Sequence, residues 1–297
     1  MKKTQAELSH KFGGQFVECV YQGGDFQNVQ YLRVPPEHTD HSLFIRYEGP
    51  GWESDRVGYR FYLDWRNAID IYGKKIPEMV LQNVGQDGFE SYHEMFEWGM
   101  DILKVGESLG IGSIGMWYNG KAERVSITDS VTCKIVSNGP VQSEIRTRYY
   151  GWKVDSNKMD LVSNFAINAG SRMTKHTVQI QGETENLCTD LVKHENTQLL
   201  QFKNQNSEWE YLALYGKQSL AGDNLGMVIL YRNKDFVEIT EDEFSHVVVL
   251  KPAEGMLTYY FGAAWEQEPD GIQSREAFED YLDQTVVGLN APLIVEL

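Results

Sequence analysis

Cysteine is scarce in this chain. Cys19, Cys133 and Cys188 are far apart and odd in number. They form neither a metal-ligand spacing nor a disulfide framework, so they read as buried thiols. Basic charge is scarce too: 27 Lys and Arg stand against 43 Asp and Glu, a net charge of −16. General nucleic-acid binding needs a basic footprint and is excluded. A small anionic ligand is not, because a local Arg/Lys cluster dominates at contact distance. No apolar run approaches the length of a membrane span, so no membrane contact is expected. The opening "MKKTQAELSHKFGG" is basic but has no apolar stretch, unlike a signal peptide. The expected location is cytoplasmic, or periplasmic if a leader has been removed. The motifs G-x-S-x-G, H-E-x-x-H, the P-loop and the EF-hand are all missing. So are internal repeats and Pro/Ser-rich linkers, and residues 1–297 read as one domain.

What the chain has in plenty is short alternating segments. "VECVYQ", "HSLFIRYEG" and "VGYRFYLDW" read as strands, as do "WEYLALYG", "LGMVILYRN", "SHVVVLKP" and "GMLTYYFGAAW". Two longer runs, "VTCKIVSNGPVQSEIRTRYYGW" and "MDLVSNFAINAGSRMTKHTVQI", carry turn signals at Asn138 and Asn168. Regular strands and turns predict an all-β protein, a sandwich or a barrel. Helices are few. The best is C-terminal, "SREAFEDYLDQTVVGL", with Ser274 as its cap and Phe278, Tyr281, Leu282 and Val286 at helical spacing. Aromatics are abundant, at 12%. Most will be core, although flat apolar rings also suit sugars.

The stretch "GESLGIGSIGMW" contains G-x-G-x-x-G at Gly110, Gly112 and Gly115. A dinucleotide loop must follow a buried strand and open a helix. Here "MWY" leads straight to Asn119-Gly120, a hairpin signal, and leaves no room for that helix. No cofactor is expected. The glycines instead allow a close approach or a bend at a sheet edge, and shape a loop beside the site.

Polar and aromatic residues crowd between positions 52 and 117. Arg60 and Tyr62 share one face of a predicted strand, and Tyr59 and Phe61 share the other. Guanidinium beside aromatic rings suits a carboxylated or sulfated sugar. His93 lies in a loop-like stretch next to Tyr92. His176 shares a strand face with Arg172, Thr174, Val178 and Ile180, which is either a cavity wall or core. His194 has less context, and His10, His38, His41 and His246 read as surface or terminal residues.

At "YEGPGWESDRVGYRFYLDWRNAIDIYGKK" and "WGMDILKVGESLGIGSIGMW" the chain resembles a family of domains long described as of unknown function. That family is encoded in the polysaccharide-degradation gene clusters of marine and gut bacteria. The resemblance covers roughly residues 10–295. It implies a large antiparallel β supersandwich like that of galactose mutarotase. It also implies an oligosaccharide dehydratase of the ulvan type, which removes water from a non-reducing-end glucuronic or iduronic acid to leave a 4,5-unsaturated uronyl end.

Such chemistry makes definite demands. The C5 proton is α to a carboxylate, so a cation must neutralise that carboxylate. A base must take the proton, and an acid must protonate the leaving hydroxyl. His93 or His176 is expected as base or acid, with Tyr92 as partner. Arg60, Arg66 and Lys104 are candidates for the carboxylate or a sulfate. Trp98 is expected as a stacking platform, Asp101 as an orienting acid and His194 as a further substrate contact. The expected partner is an anionic oligosaccharide. The residues leave a metal ion undecided, and two alternatives open: a polysaccharide lyase using the same β-elimination, or a carbohydrate-binding protein without catalysis.

Overall fold

A computed structural model describes residues 2–88, 91–204 and 206–291. Its strands lie in three larger sheets and one separate hairpin. The large sheet has nine strands, in the order Thr197–Phe202, Trp209–Lys217, Asn224–Arg232, Met256–Trp265, Met173–Gln181, Asn157–Asn168, Gln142–Val154, Ser130–Asn138 and Tyr31–Arg33. An amino-terminal sheet runs Thr4–Glu7, Gly51–Ser54, Val57–Phe61, Ile69–Lys74 and Gly99–Asp101. A third sheet runs Lys121–Arg124, Ile111–Tyr118, Leu187–Val192, Ser245–Leu250 and Phe236–Glu241. The strand pairings are antiparallel, as expected for an all-β sandwich.

Both five-stranded sheets pack on one face of the large sheet. Trp52 of the amino-terminal sheet stacks on Phe165, with centroids 5.1 Å apart, and its indole N–H donates to Thr174 Oγ1 at 2.8 Å. From the other side Tyr259 donates to the Gly112 carbonyl at 2.9 Å. The two smaller sheets meet at a parallel bridge between Ile69 and Gly110. This is what the glycines are for. A Cβ on Gly110, whose φ is +79°, would lie 2.0 Å from the Ile69 carbonyl oxygen, and one on Gly112 would strike the Phe261 ring. Gly115 lies within the strand Ile111–Tyr118, which turns at Asn119-Gly120 as the sequence indicates. The glycines therefore join sheets, and the expectation that they shape a loop beside the site is corrected.

Burial follows what covers each strand. Asn157–Asn168 alternates buried and open positions along its length, the pattern of a sheet with one wet face. Trp209–Lys217 is buried on both faces, because the helix Arg275–Asn290 lies over it and inserts Phe278, Leu282 and Val286. Gly226 makes room for Phe278, whose ring would lie 2.6 Å from a Cβ there. Ser274 caps the helix by accepting from the Ala277 N–H at 3.2 Å.

Two predicted strands are corrected. "VECVYQ" contains the turn between the hairpin strands Ser9–Val17 and Val20–Asn28. "HSLFIRYEG" is irregular, ending in a 3-10 turn at Arg46–Glu48, with positive φ at His41, Leu43, Tyr47 and Glu48. The hairpin braces this segment: Lys11 N–H donates to the Phe44 carbonyl at 2.9 Å and Tyr21 N–H to the Ser42 carbonyl at 2.7 Å. Cys133 and Cys188 are buried, as expected, but Cys19 is exposed at the hairpin turn.

Candidate functional site

The site begins with strand register. Pairing of Val57–Phe61 with Ile69–Lys74 sets Arg60 opposite Asp70, and pairing with Gly99–Asp101 sets Tyr72 opposite Asp101. In a strand alternate residues share a face. Val57, Tyr59 and Phe61 therefore enter the core, while Arg60, Asp70, Tyr72 and Asp101 line the outer face. The segments 76–88 and 91–98 fold over that face and are held by Val80, Leu81, Val84 and Tyr92.

Arg60 is 4% exposed, and each of its guanidinium nitrogens is engaged. Nε and Nη2 donate to Asp70 Oδ2 at 3.1 and 2.6 Å, Nη2 also donates to Asp101 Oδ2 at 2.7 Å, and Nη1 donates to the Tyr92 hydroxyl at 2.7 Å. Tyr62 donates to Asp70 Oδ2 at 2.7 Å. Its ring is flanked by both guanidinium groups, Arg60 at 4.8 Å and Arg66 at 4.0 Å from the centroid. Burial, with the neighbouring Asp101 charge, pushes Asp70 up to about 7 against the pull of Arg60. Burial also pushes the Tyr92 phenol upward, again against Arg60.

His93 stands at the rim. Its side chain is 45% exposed, and Nε2 lies 3.3 Å from Asp101 Oδ2. The Tyr92 ring meets it edge-on at 4.8 Å. An exposed imidazole, a buried carboxylate behind it and a guanidinium behind that form one chain of contacts.

Arg66 anchors a second layer. It pairs with Asp64 through Nε at 2.9 and 3.1 Å, with Glu48 at 2.9 Å and with Asp40 at 2.8 Å. Burial would raise the Glu48 carboxyl, but Arg60 and Arg66 outweigh it and hold it down at about 2. Asp40, His41 and Glu48 bring ligand atoms within 4.8 Å of one another, a grouping able to hold a metal ion. Here the Arg66 guanidinium already contacts the two carboxylates. The positive φ values of Tyr47 (39°) and Glu48 (71°) put strained backbone at this site.

The structure thus brings together Arg60, Tyr92, His93 and Asp101, with Arg66 one layer away. It does not bring His176. That residue is fully buried in the large sheet between Phe165 and Tyr259, at 4.2 and 4.9 Å. Burial lowers its pKa to about 3, against a weaker pull from the Gly112 backbone. It is a neutral core histidine, and the cavity-wall alternative is set aside. Trp98 is half-buried and meets Tyr72 edge-on at 6.0 Å. Lys104 is exposed and His194 lies beside it, its pKa lowered by burial and by the Lys104 charge. Among the described residues no hydrogen bond or ion pair ties these two to Arg60, His93 or Asp101.

Sequence reading missed Glu48 because the segment before it looks like a strand. It treated Asp70 as part of a crowd, although the alternation of "IDIYGK" puts Asp70 and Tyr72 on one face. It placed His38 at the surface, whereas His38 is 7% exposed and its Nδ1 lies 2.7 Å from Ser42 Oγ.

Fold and site together define an all-β sandwich protein with a buried Arg–Asp–Tyr cluster and a histidine at its rim. Residues 1–295 match the family described as a domain of unknown function (DUF4861), and the chain belongs to that family. No curated protein matches the chain. Among the described residues no helix is long and apolar enough to cross a membrane.

Proposed function

We propose that this protein is an oligosaccharide dehydratase acting on the uronic acid at the non-reducing end of an ulvan-type oligosaccharide, on a scaffold like that of galactose mutarotase. The observation that carries the reading is the His93–Asp101–Arg60 chain of contacts. A proton on Nε2, facing Asp101 Oδ2, leaves the Nδ1 lone pair free to take the C5 proton. Asp101 then stabilises the imidazolium, and Arg60 holds Asp101 in place. The C5–H electrons become the C4=C5 bond, and the 4-hydroxyl leaves as water once protonated. Tyr92 fits the acid role rather than the base role, because burial keeps its phenol protonated. Arg60 has no nitrogen to spare. Arg66 is likewise engaged at each nitrogen, by Asp64, Asp40 and Glu48, so the uronate carboxylate falls to Lys104, which is exposed.

The test is incubation of the full chain with saturated uronate-ended oligosaccharides, read by mass and ultraviolet absorbance. Dehydration removes one water and leaves the chain intact, whereas a lyase shortens it. His93→Ala should lower the rate of unsaturated product formation by about 10²–10⁴-fold without changing the unfolding midpoint, since the side chain is 45% exposed. A variant with the wild-type rate removes His93 from the mechanism.

A further inference from the structure

Beside the Arg66 layer lies a cleft of about 630 Å³, lined among others by Arg33, His38, Asp64, Trp65, Ser126 and Asp129. Its size is within the ~300–1,000 Å³ range of small-molecule sites. Trp65 is 43% exposed, and the Arg124 guanidinium lies 5.4 Å from its ring centroid. A large aromatic in solvent, steadied by a cation and set in a cleft, is the platform a sugar ring uses. The second observation is independent. His38 is 7% exposed with Nδ1 held by Ser42, while Nε2, on the opposite side of the ring, is buried without a hydrogen-bond partner. A buried polar atom left unpaired costs free energy that a ligand hydroxyl would recover.

We propose that this cleft is a second sugar-binding site. It takes one pyranose unit of the same oligosaccharide, stacked on Trp65 with a ring hydroxyl bonded to His38 Nε2. The proposal rests on the reading of the substrate as an oligosaccharide. Asp64 is engaged by Arg66, and Asp129 by Lys158 at 2.7 Å. Each of these carboxylates is thus matched by a cation, and Arg33 adds a further one to the lining. Continuity with the first site comes from the turn itself, since Trp65 lies between Asp64 and Arg66 in the chain.

The experiment measures binding to the full chain by calorimetry. The probes are a saturated uronate-ended disaccharide, the corresponding tetrasaccharide and a neutral tetrasaccharide. The uronate tetrasaccharide should bind about tenfold tighter than the disaccharide, the size of one stacked aromatic contact. Trp65→Ala should erase most of that gain. A wild type with no gain from length, or a gain that survives Trp65→Ala, overturns the proposal, as does failure of both tetrasaccharides to bind. Product formation separates the two readings. Trp65-dependent binding without unsaturated product leaves the second site standing and removes the dehydratase. Product without a Trp65-dependent gain does the reverse.

Discussion

The helix Arg275–Asn290 covers the large sheet with Phe278, Leu282 and Val286, whereas irregular chain covers the amino-terminal sheet over Arg60, Lys74, Asp70 and Asp101. Each cover keeps water off a sheet face. The first does so by apolar packing, which stabilises with little demand on geometry. The second buries charge, whose desolvation offsets most of the attraction it gains. The Lys74–Glu53 pair illustrates the cost: both side chains are 0% exposed. Burial lowers the Lys74 pKa and raises that of Glu53, against their mutual attraction. Glu53 also accepts the Val80 and Leu81 N–H groups, so it pins the covering chain in place. Buried charge that contributes little to stability but fixes positions is expected where side-chain placement matters to chemistry.

The largest effects should come from cutting each cover at its centre. Arg60→Met leaves Asp70 and Asp101 buried without their cation and should cost about 3–5 kcal/mol in urea unfolding. Adding Asp70→Asn and Asp101→Asn should restore much of that stability but no turnover. Phe278→Ala should cost about the same, 3–5 kcal/mol, yet keep product formation wherever the protein remains folded. Equal losses of activity in the two variants would erase the contrast between the covers.

A smaller effect separates them by pH. A carboxyl under or beside each cover is pushed up to about 7: Asp70 by burial and by Asp101, Glu268, ahead of the helix, by burial against Arg172. In the unfolded chain these groups ionise near 4. The sign follows. The fold retains their protons longer, so their contribution is full below about pH 4. It falls as pH rises through about 7 and is constant above. Urea titrations from pH 4 to 8 should show this decline, flattened in Glu268→Gln and in Asp70→Asn alike. Only Asp70→Asn should also displace the pH–rate profile. A shift of that profile in Glu268→Gln would tie the segment that leads into the helix to the chemistry.

The contrast also explains what could be read from sequence. Apolar burial writes a period. "MDLVSNFAIN" and "AFEDYLDQTV" declare a strand and a helix because one face of each is wet. The same alternation puts His176 with Val178 and Ile180, so its core face was legible even though its use was not. The segment from Phe44 to Pro50 is buried at every position and bends through left-handed backbone at Tyr47 and Glu48. Neither residue type announces that conformation, so the segment imitates a strand. The crowding around Arg60 was visible. Asp101 was expected as an orienting acid, but its meeting with Asp70 at Arg60 was not legible, because that depends on a register set by turns and by the sheet as a whole.

The smallest effect probes the helix end. Ser274 accepts the Ala277 N–H, one of the four N–H groups a helix leaves unpaired at its start. Ser274→Ala should cost about 1 kcal/mol, read as a small drop in unfolding midpoint. The apolar contacts of Phe278 and Leu282 lie a turn or more further on and hold the helix on the sheet without the cap. Turnover at a temperature where the variant is folded should therefore equal that of the wild type. A rate loss larger than the stability loss would mean that the helix start influences the amino-terminal sheet. The nearest route runs through Arg172, which pairs with Glu268 at 2.6 Å and lies 4.9 Å from the Tyr281 ring, and whose carbonyl accepts from the Tyr59 hydroxyl at 2.7 Å. Tyr59 sits directly before Arg60, so that link would be the place to look next.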